Sequence, residues 1–167
     1  MLMRHGAAAS PPDAYDRGRP LTNRGRGQSL RAGDAIRERG LMPERVILSS
    51  ADRAQETWDA FLLGLDVGPD IEGTVETDSR IYDNTIDDLL DVIRETQDDV
   101  KVVLLIGHNP SVSGLASVLD EDPDNLVRAE LAAGYPTATI AIFEFDGSWS
   151  ELREGSARLT DVVMRRP

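Results

Sequence analysis

The 167-residue chain contains no cysteine, which excludes a disulfide scaffold, a thiolate nucleophile, an iron–sulfur cluster and a cysteine zinc site together. No apolar run approaches the ~20 residues that a membrane-spanning helix needs. After the short run Met1-Leu2-Met3 the chain turns polar at Arg4, unlike a secretory signal, so a cytoplasmic protein is expected. Three residues make a short first strand, and a natural start a few residues upstream is expected. Lysine is almost missing as well: of 18 basic residues only Lys101 is lysine. The rest are arginine, the side chain that grips phosphate bidentately. Positive charge is itself scarce, with 30 acidic residues against 18 basic ones and a formal net charge of −12. Such a surface repels nucleic acid and anionic membranes, and neither is expected as a partner.

What is present describes a globular chain. Hydrophobic residues make up 40% and charged residues 29%, the balance of a protein with a core and a solvated surface. The length fits one domain of ordinary size, and a single domain over 1–167 is expected, as a monomer. Thr22 opens a helix that runs to Glu38-Arg39 and stops at Gly40, with Leu30, Ala32 and Ile36 as its buried stripe. Residues 45–49 form an apolar strand, followed by a helix with Trp58, Phe61, Leu62 and Leu65 at helical spacing. Residues 66–80 read as loop with one short strand. Thr85 then caps a helix that carries Ile86, Leu89, Leu90 and Ile93 on one face.

Residues 101–106 are continuously apolar after Lys101, as a strand covered on both faces is, and predict the centre of a sheet. Gly107-His108-Asn109 leaves that strand, and Pro110 suits the first turn of a helix towards Leu119. Residues 138–145 form a strand, Asp146-Gly147 a hairpin turn and 149–153 its partner, with 158–164 as a further edge strand. Strands alternating with helices, then a terminal hairpin, indicate an α/β sandwich with a mainly parallel sheet.

In such a sheet, ligands bind at the carboxyl ends of the strands. Two exits carry the only histidines: Arg4-His5-Gly6 and Gly107-His108-Asn109-Pro110. A third, after residues 45–49, places Arg53 in a first helical turn, where backbone N–H groups favour an anion. Two arginines and two histidines around one helix N-terminus make a phosphate site in an otherwise acidic protein. Singly, each piece has an ordinary structural explanation; the conjunction, in order and in strand context, does not. The loop 13–19 lies next to the mouth of that site and either touches substrate or is idle. Asp87-Asp88, Asp98-Asp99 and Asp120-Glu121-Asp122 lack a histidine at ligand spacing and read as solvated acids, so no metal is assigned.

These stretches resemble the histidine phosphatase superfamily, and within it the SixA-type phosphohistidine phosphatases. The resemblance rests on Leu2-Met3-Arg4-His5-Gly6, on Arg19-Pro20-Leu21-Thr22 followed by Gly25, and on Arg53-Ala54 within residues 49–57. Gly107-His108-Asn109-Pro110 and Pro136-Thr137 complete it. It implies a three-layer α/β/α, phosphoglycerate mutase-like fold that works without metal or organic cofactor. It also implies His5 as the nucleophile, with Arg4, Arg53 and His108 as the phosphate-binding residues around it. Many relatives use a carboxylic acid from the region that here reads Arg80-Ile81-Tyr82-Asp83-Asn84, which makes Asp83 the candidate general acid; a solvated helix-entry residue is the alternative.

The reading that follows is a phosphatase of signal transduction acting on phosphohistidine in proteins and releasing inorganic phosphate. A small-molecule phosphomonoester phosphatase is the alternative within the superfamily, and a mutase, which must shield its phosphoenzyme from water, fits less well. A non-catalytic phosphate-binding module or a purely structural domain is the alternative outside it.

Overall fold

The residue run expected at the centre of the sheet lies near its centre. In the computed structural model, which describes residues 1–11, 15–67, 73–132 and 134–164, β4 (Val103–Gly107) is buried at every position. It runs parallel to both of its neighbours, β1 (Leu2–Arg4) and β2 (Arg45–Ser49). Beyond β2 lies β3 (Thr74–Asp78), also parallel and mostly exposed. On the other side β5 (Ile140–Glu144) and β6 (Arg158–Val163) continue the sheet antiparallel, giving the order β3-β2-β4-β1-β5-β6. Asp13, Ala14 and Pro69, read as loop, lie outside the described residues.

Alternation along the strands builds the layers, because successive side chains leave a strand on opposite faces. Leu2, Ile47 and Leu105 pack on one face against Leu89 and Ile93 of α3 (Ile86–Arg94) and Leu115 of α4 (Ser111–Leu119). Met3, Val46, Leu48, Leu104 and Ile106 pack on the other, against Ile36 of α1 (Asn23–Glu38) and Phe61 of α2 (Asp52–Leu65). The fold is therefore an α/β/α sandwich with a mostly parallel sheet.

The expected caps are present. The Thr22 side chain accepts from the Gly25 N–H, Thr85 and Asp88 form a reciprocal capping box, and Gly40 stands at φ 67° just past α1. The buried stripe of α1 differs from expectation, since Leu30 is exposed while Gly25, Ser29, Ala32, Gly33 and Ile36 are buried. The cause is a close approach of backbones. A methyl group on Gly33 would lie 2.1 Å from the Phe61 carbonyl oxygen, and one on Gly64 2.0 Å from that of Leu30. The face that meets α2 must be small, and a leucine stays off it.

Two further expectations are corrected. Trp149–Glu151 is a 3-10 turn, and the antiparallel partner of β5 is β6. The Trp149 ring packs on the core and its Nε1–H donates to the Val100 carbonyl at 2.8 Å, which draws the segment off the sheet edge. The helix α5 (Arg128–Ala132) has five residues and was not foreseen; it is too short to display a period. Pro110 precedes α4, and its peptide bond with Asn109 is cis.

Candidate active site

Strands β1, β4 and β2 are neighbours, so the three exits singled out in the sequence open side by side at one end of the sheet. Register pairs Arg4 with Gly107, and the His5 N–H donates to the Gly107 carbonyl at 3.0 Å. The imidazoles of His5 and His108 consequently stand with ring centroids 5.0 Å apart. Arg53 enters from the first turn of α2 and is almost wholly buried, at 7% exposure.

His5 has an assigned proton position. Its Nδ1 lies 2.7 Å from the Gly6 carbonyl oxygen, which only accepts, so the proton sits on Nδ1 and the Nε2 lone pair is free. Burial is the main cause that pushes its pKa down to about 4, and the positive charges of Arg53, Arg4 and Arg19 lower it further, against the opposing Gly6 hydrogen bond. At neutral pH the ring is therefore an uncharged base with an exposed lone pair, the state that a nucleophile requires.

His108 is oriented by Ser49 at the end of β2, whose Oγ lies 2.7 Å from Nε2. That hydroxyl already accepts from the Ala51 N–H and has its own hydrogen for Nε2. With that hydroxyl donating to Nε2, the ring proton is on Nδ1, which is buried and has no hydrogen-bond partner among the described residues. Burial, then repulsion from His5 and Arg53, pushes the pKa of His108 down to about 3. A neutral ring whose N–H faces no protein acceptor is a donor set for an anion.

Arg4 donates from one terminal nitrogen to the Tyr135 carbonyl at 2.8 Å, while its Nε is buried without a partner among the described residues. The Arg53 guanidinium is held from one side by a single residue, Asp16. Arg53 Nη1 donates to the Asp16 carbonyl at 2.7 Å and Nη2 to its carboxylate at 3.1 Å. Asp16 lies in a 3-10 turn over Asp16–Gly18. Its carboxylate also accepts from the Tyr82 hydroxyl at 2.7 Å and from Arg19 at 3.0 Å. The guanidinium of Arg17 lies 4.4 Å from the centre of the Tyr82 ring, whose plane meets His108 edge-on at 5.9 Å.

The structure thus brings Arg4, His5, Arg53 and His108 together, and adds Asp16, Tyr82 and Tyr135. Sequence reasoning reached the stretches 13–19 and 80–84 without singling out Asp16 or Tyr82, because no periodicity marks which residue of a turn faces inward. Asp83 is exposed, in the turn before the Thr85 cap, and forms no hydrogen bond or ion pair with the four clustered residues. A cavity of about 280 Å³ beside Leu2, Val103 and Trp149 lies at the opposite end of the sheet from the histidines. No group of three or more His, Asp or Glu side chains among the described residues could hold a metal, and no helix among them is long and apolar enough to cross a membrane.

No family model matches the chain. Among curated proteins it is similar to an uncharacterized protein of Mycobacterium leprae, ML1117, at 30% identity over 162 residues, 94% of this chain and 96% of that one. An uncharacterized protein of Mycobacterium tuberculosis, Rv1276c, is 29% identical over 166 residues, 98% of this chain and all of the other. Among solved structures, one from Nakamurella multipartita, provisionally assigned as the phosphohistidine phosphatase SixA, matches with a TM-score of 0.84 and 27% identity. The match covers 98% of this chain and 93% of that one. The chain belongs to the histidine phosphatase superfamily. Its SixA-type neighbours include a protein histidine phosphatase SixA solved with tungstate, with a TM-score of 0.75 and 23% identity over 96% of this chain and 92% of that one. That likeness extends the agreement to the fold of the whole superfamily domain.

Proposed function

We propose that this phosphatase of the histidine phosphatase superfamily hydrolyses phosphohistidine in proteins through a covalent phosphohistidine on His5, as one cytoplasmic domain spanning 1–167. One observation carries the reading: the His5 Nδ1–H is committed to the Gly6 carbonyl, and the ring is neutral at physiological pH beside two guanidinium groups. In the first step the Nε2 lone pair attacks phosphorus, and the bond to the leaving nitrogen breaks. Its electron pair stays on that nitrogen, which takes a proton from solvent. Arg4 and Arg53 hold the equatorial oxygens, and the His108 Nδ1–H meets a non-bridging oxygen as charge develops there. Water then attacks phosphorus, inorganic phosphate leaves, and Nε2 regains its lone pair.

The carboxyl group bonded into the cluster, that of Asp16, is held ionised by its bonds to Tyr82 and Arg19 and has no proton to give near neutrality; this favours a phosphoramidate over an ester, because a leaving imidazole needs less help than an alkoxide. The phosphomonoester reading requires Asp83 to act as the acid from its exposed turn. Released phosphate, measured for the wild type and His5→Ala with a phosphohistidine-bearing protein and separately with p-nitrophenyl phosphate, tests both. Activity lost on both substrates in His5→Ala, with the wild type faster on phosphohistidine, is expected. A wild type faster on the ester, and slowed there by Asp83→Asn, supports the second reading. A folded wild type that releases nothing from either substrate leaves a phosphate-binding module.

A further inference from the structure

We propose that Asp16 is the positioning residue for Arg53, and that Tyr82 holds Asp16 to that task from the opposite side of the site's mouth. The inference rests on the reading above, in which Arg53 grips the phosphoryl group. Asp16 meets Arg53 twice, with its backbone carbonyl at 2.7 Å and its carboxylate at 3.1 Å. Two contacts on two different nitrogens fix the plane of a guanidinium as well as its place. They occupy one N–H on Nη1 and one on Nη2. Three of the five N–H groups, the one on Nε included, have no partner among the described residues and are left for an anion.

Asp16 is suited to this because its charge is secure. The Tyr82 hydroxyl bond, then the Arg19 bond, holds its carboxyl far below the ordinary carboxylate range. It therefore stays an acceptor near neutral pH and cannot serve as a proton donor there. Tyr82 reaches it from the turn before α3, 66 residues along the chain, and Arg17 covers the Tyr82 ring. Two loops that share no secondary structure are thereby joined over Arg53. If the carboxylate instead occupied the phosphate position, the substrate would have to expel it, and removing it would strengthen anion binding. The two roles predict opposite signs.

The test uses the full chain and tungstate, a phosphate-shaped oxyanion, by titration calorimetry, together with kcat and KM on p-nitrophenyl phosphate. Asp16→Asn is expected to weaken tungstate binding about tenfold and to lower kcat/KM by about 10–100-fold, as the loss of a charge-assisted bond does. Tyr82→Phe is expected to lose a few-fold. In an Arg53→Ala background Asp16→Asn should add almost nothing, because its effect runs through Arg53. Formate, but not formamide, should restore part of the activity of Asp16→Ala, a response that a merely structural residue would not give.

Wild-type behaviour of Asp16→Asn, tighter tungstate binding, or a full additional loss in the Arg53→Ala background would each overturn the inference. Failure of the underlying reading looks different, because a wild type that hydrolyses nothing still reports the placement of Arg53 through tungstate. If tungstate fails to bind the wild type as well, both fall.

Discussion

The Gly6 N–H donates to the Thr57 hydroxyl at 2.9 Å, and that hydroxyl donates in turn to the Arg53 carbonyl one helical turn earlier at 2.6 Å. The exit of β1, which presents His5, is thus tied to the helix that presents Arg53.

Thr57→Val keeps the shape and removes the hydroxyl, leaving the buried Gly6 N–H without an acceptor. A loss of about 1–3 kcal/mol is expected, the range for an unsatisfied buried donor. Urea unfolding will read it, and kcat/KM should fall with it, whereas Thr57→Ser should stay close to the wild type in both.

The two histidines make stability depend on pH in a defined window. Their folded pKa values, about 4 for His5 and about 3 for His108, lie below the ~6.5 of an unfolded histidine. Between those limits the unfolded chain binds protons that the folded one refuses. Their contribution to stability is therefore complete above about pH 6.5 and is lost progressively as pH falls towards 4. The melting temperature recorded from pH 8 to 4 should drop over that range, and it should drop less in His108→Ala. For the free enzyme the acid limb of kcat/KM should likewise stand nearer pH 4 than 6.5.

Tyr135 links the sheet to the site. Its buried hydroxyl donates to the Leu2 carbonyl at 2.6 Å and accepts from the Ala141 N–H at 3.0 Å, and its own carbonyl receives Arg4 and Asn109. Tyr135→Phe strips partners from two buried backbone groups and should destabilise by about 2 kcal/mol or more. Thermal unfolding will measure this, whereas tungstate affinity should change little, because the backbone carbonyl that receives Arg4 is kept.

Gly33→Ala places a methyl group 2.1 Å from the Phe61 carbonyl oxygen. Because that atom is backbone, α1 and α2 must separate, and about 3 kcal/mol or more of stability should be lost in denaturant titration. Gly40→Ala meets no neighbour but sits at φ 67°, so it should cost about 1 kcal/mol through backbone strain alone.

Much of this was legible in the residues because strong signals coincide. The all-apolar run of β4, the Thr22 and Thr85 caps and the glycine-flanked histidines each combine a chemical type with a fixed neighbour. The grouping of Arg4, His5, Arg53 and His108 follows from strand exits, which topology makes converge. Asp16 and Tyr82 were not legible, since they meet only when two irregular loops, 66 residues apart, close over one helix end. The Trp149 turn was misread as a strand because an aromatic in a short apolar stretch suits either state until the core claims it. Leu30 was misplaced for the opposite reason: a face chosen for smallness leaves no hydrophobic period to follow.

The three residues of β1 have a consequence for how activity arises. They lie between parallel β4 and antiparallel β5, so they are the seam between β3-β2-β4 on one side and β5-β6 on the other. The seam can close only after partners some 100 and 140 residues along the chain have been made and folded, a pairing of high contact order and slow formation. His5 follows the seam directly. During synthesis or refolding, hydrolysis should therefore return with the last structural phase and not before it, so that an incomplete chain has no chance to dephosphorylate anything.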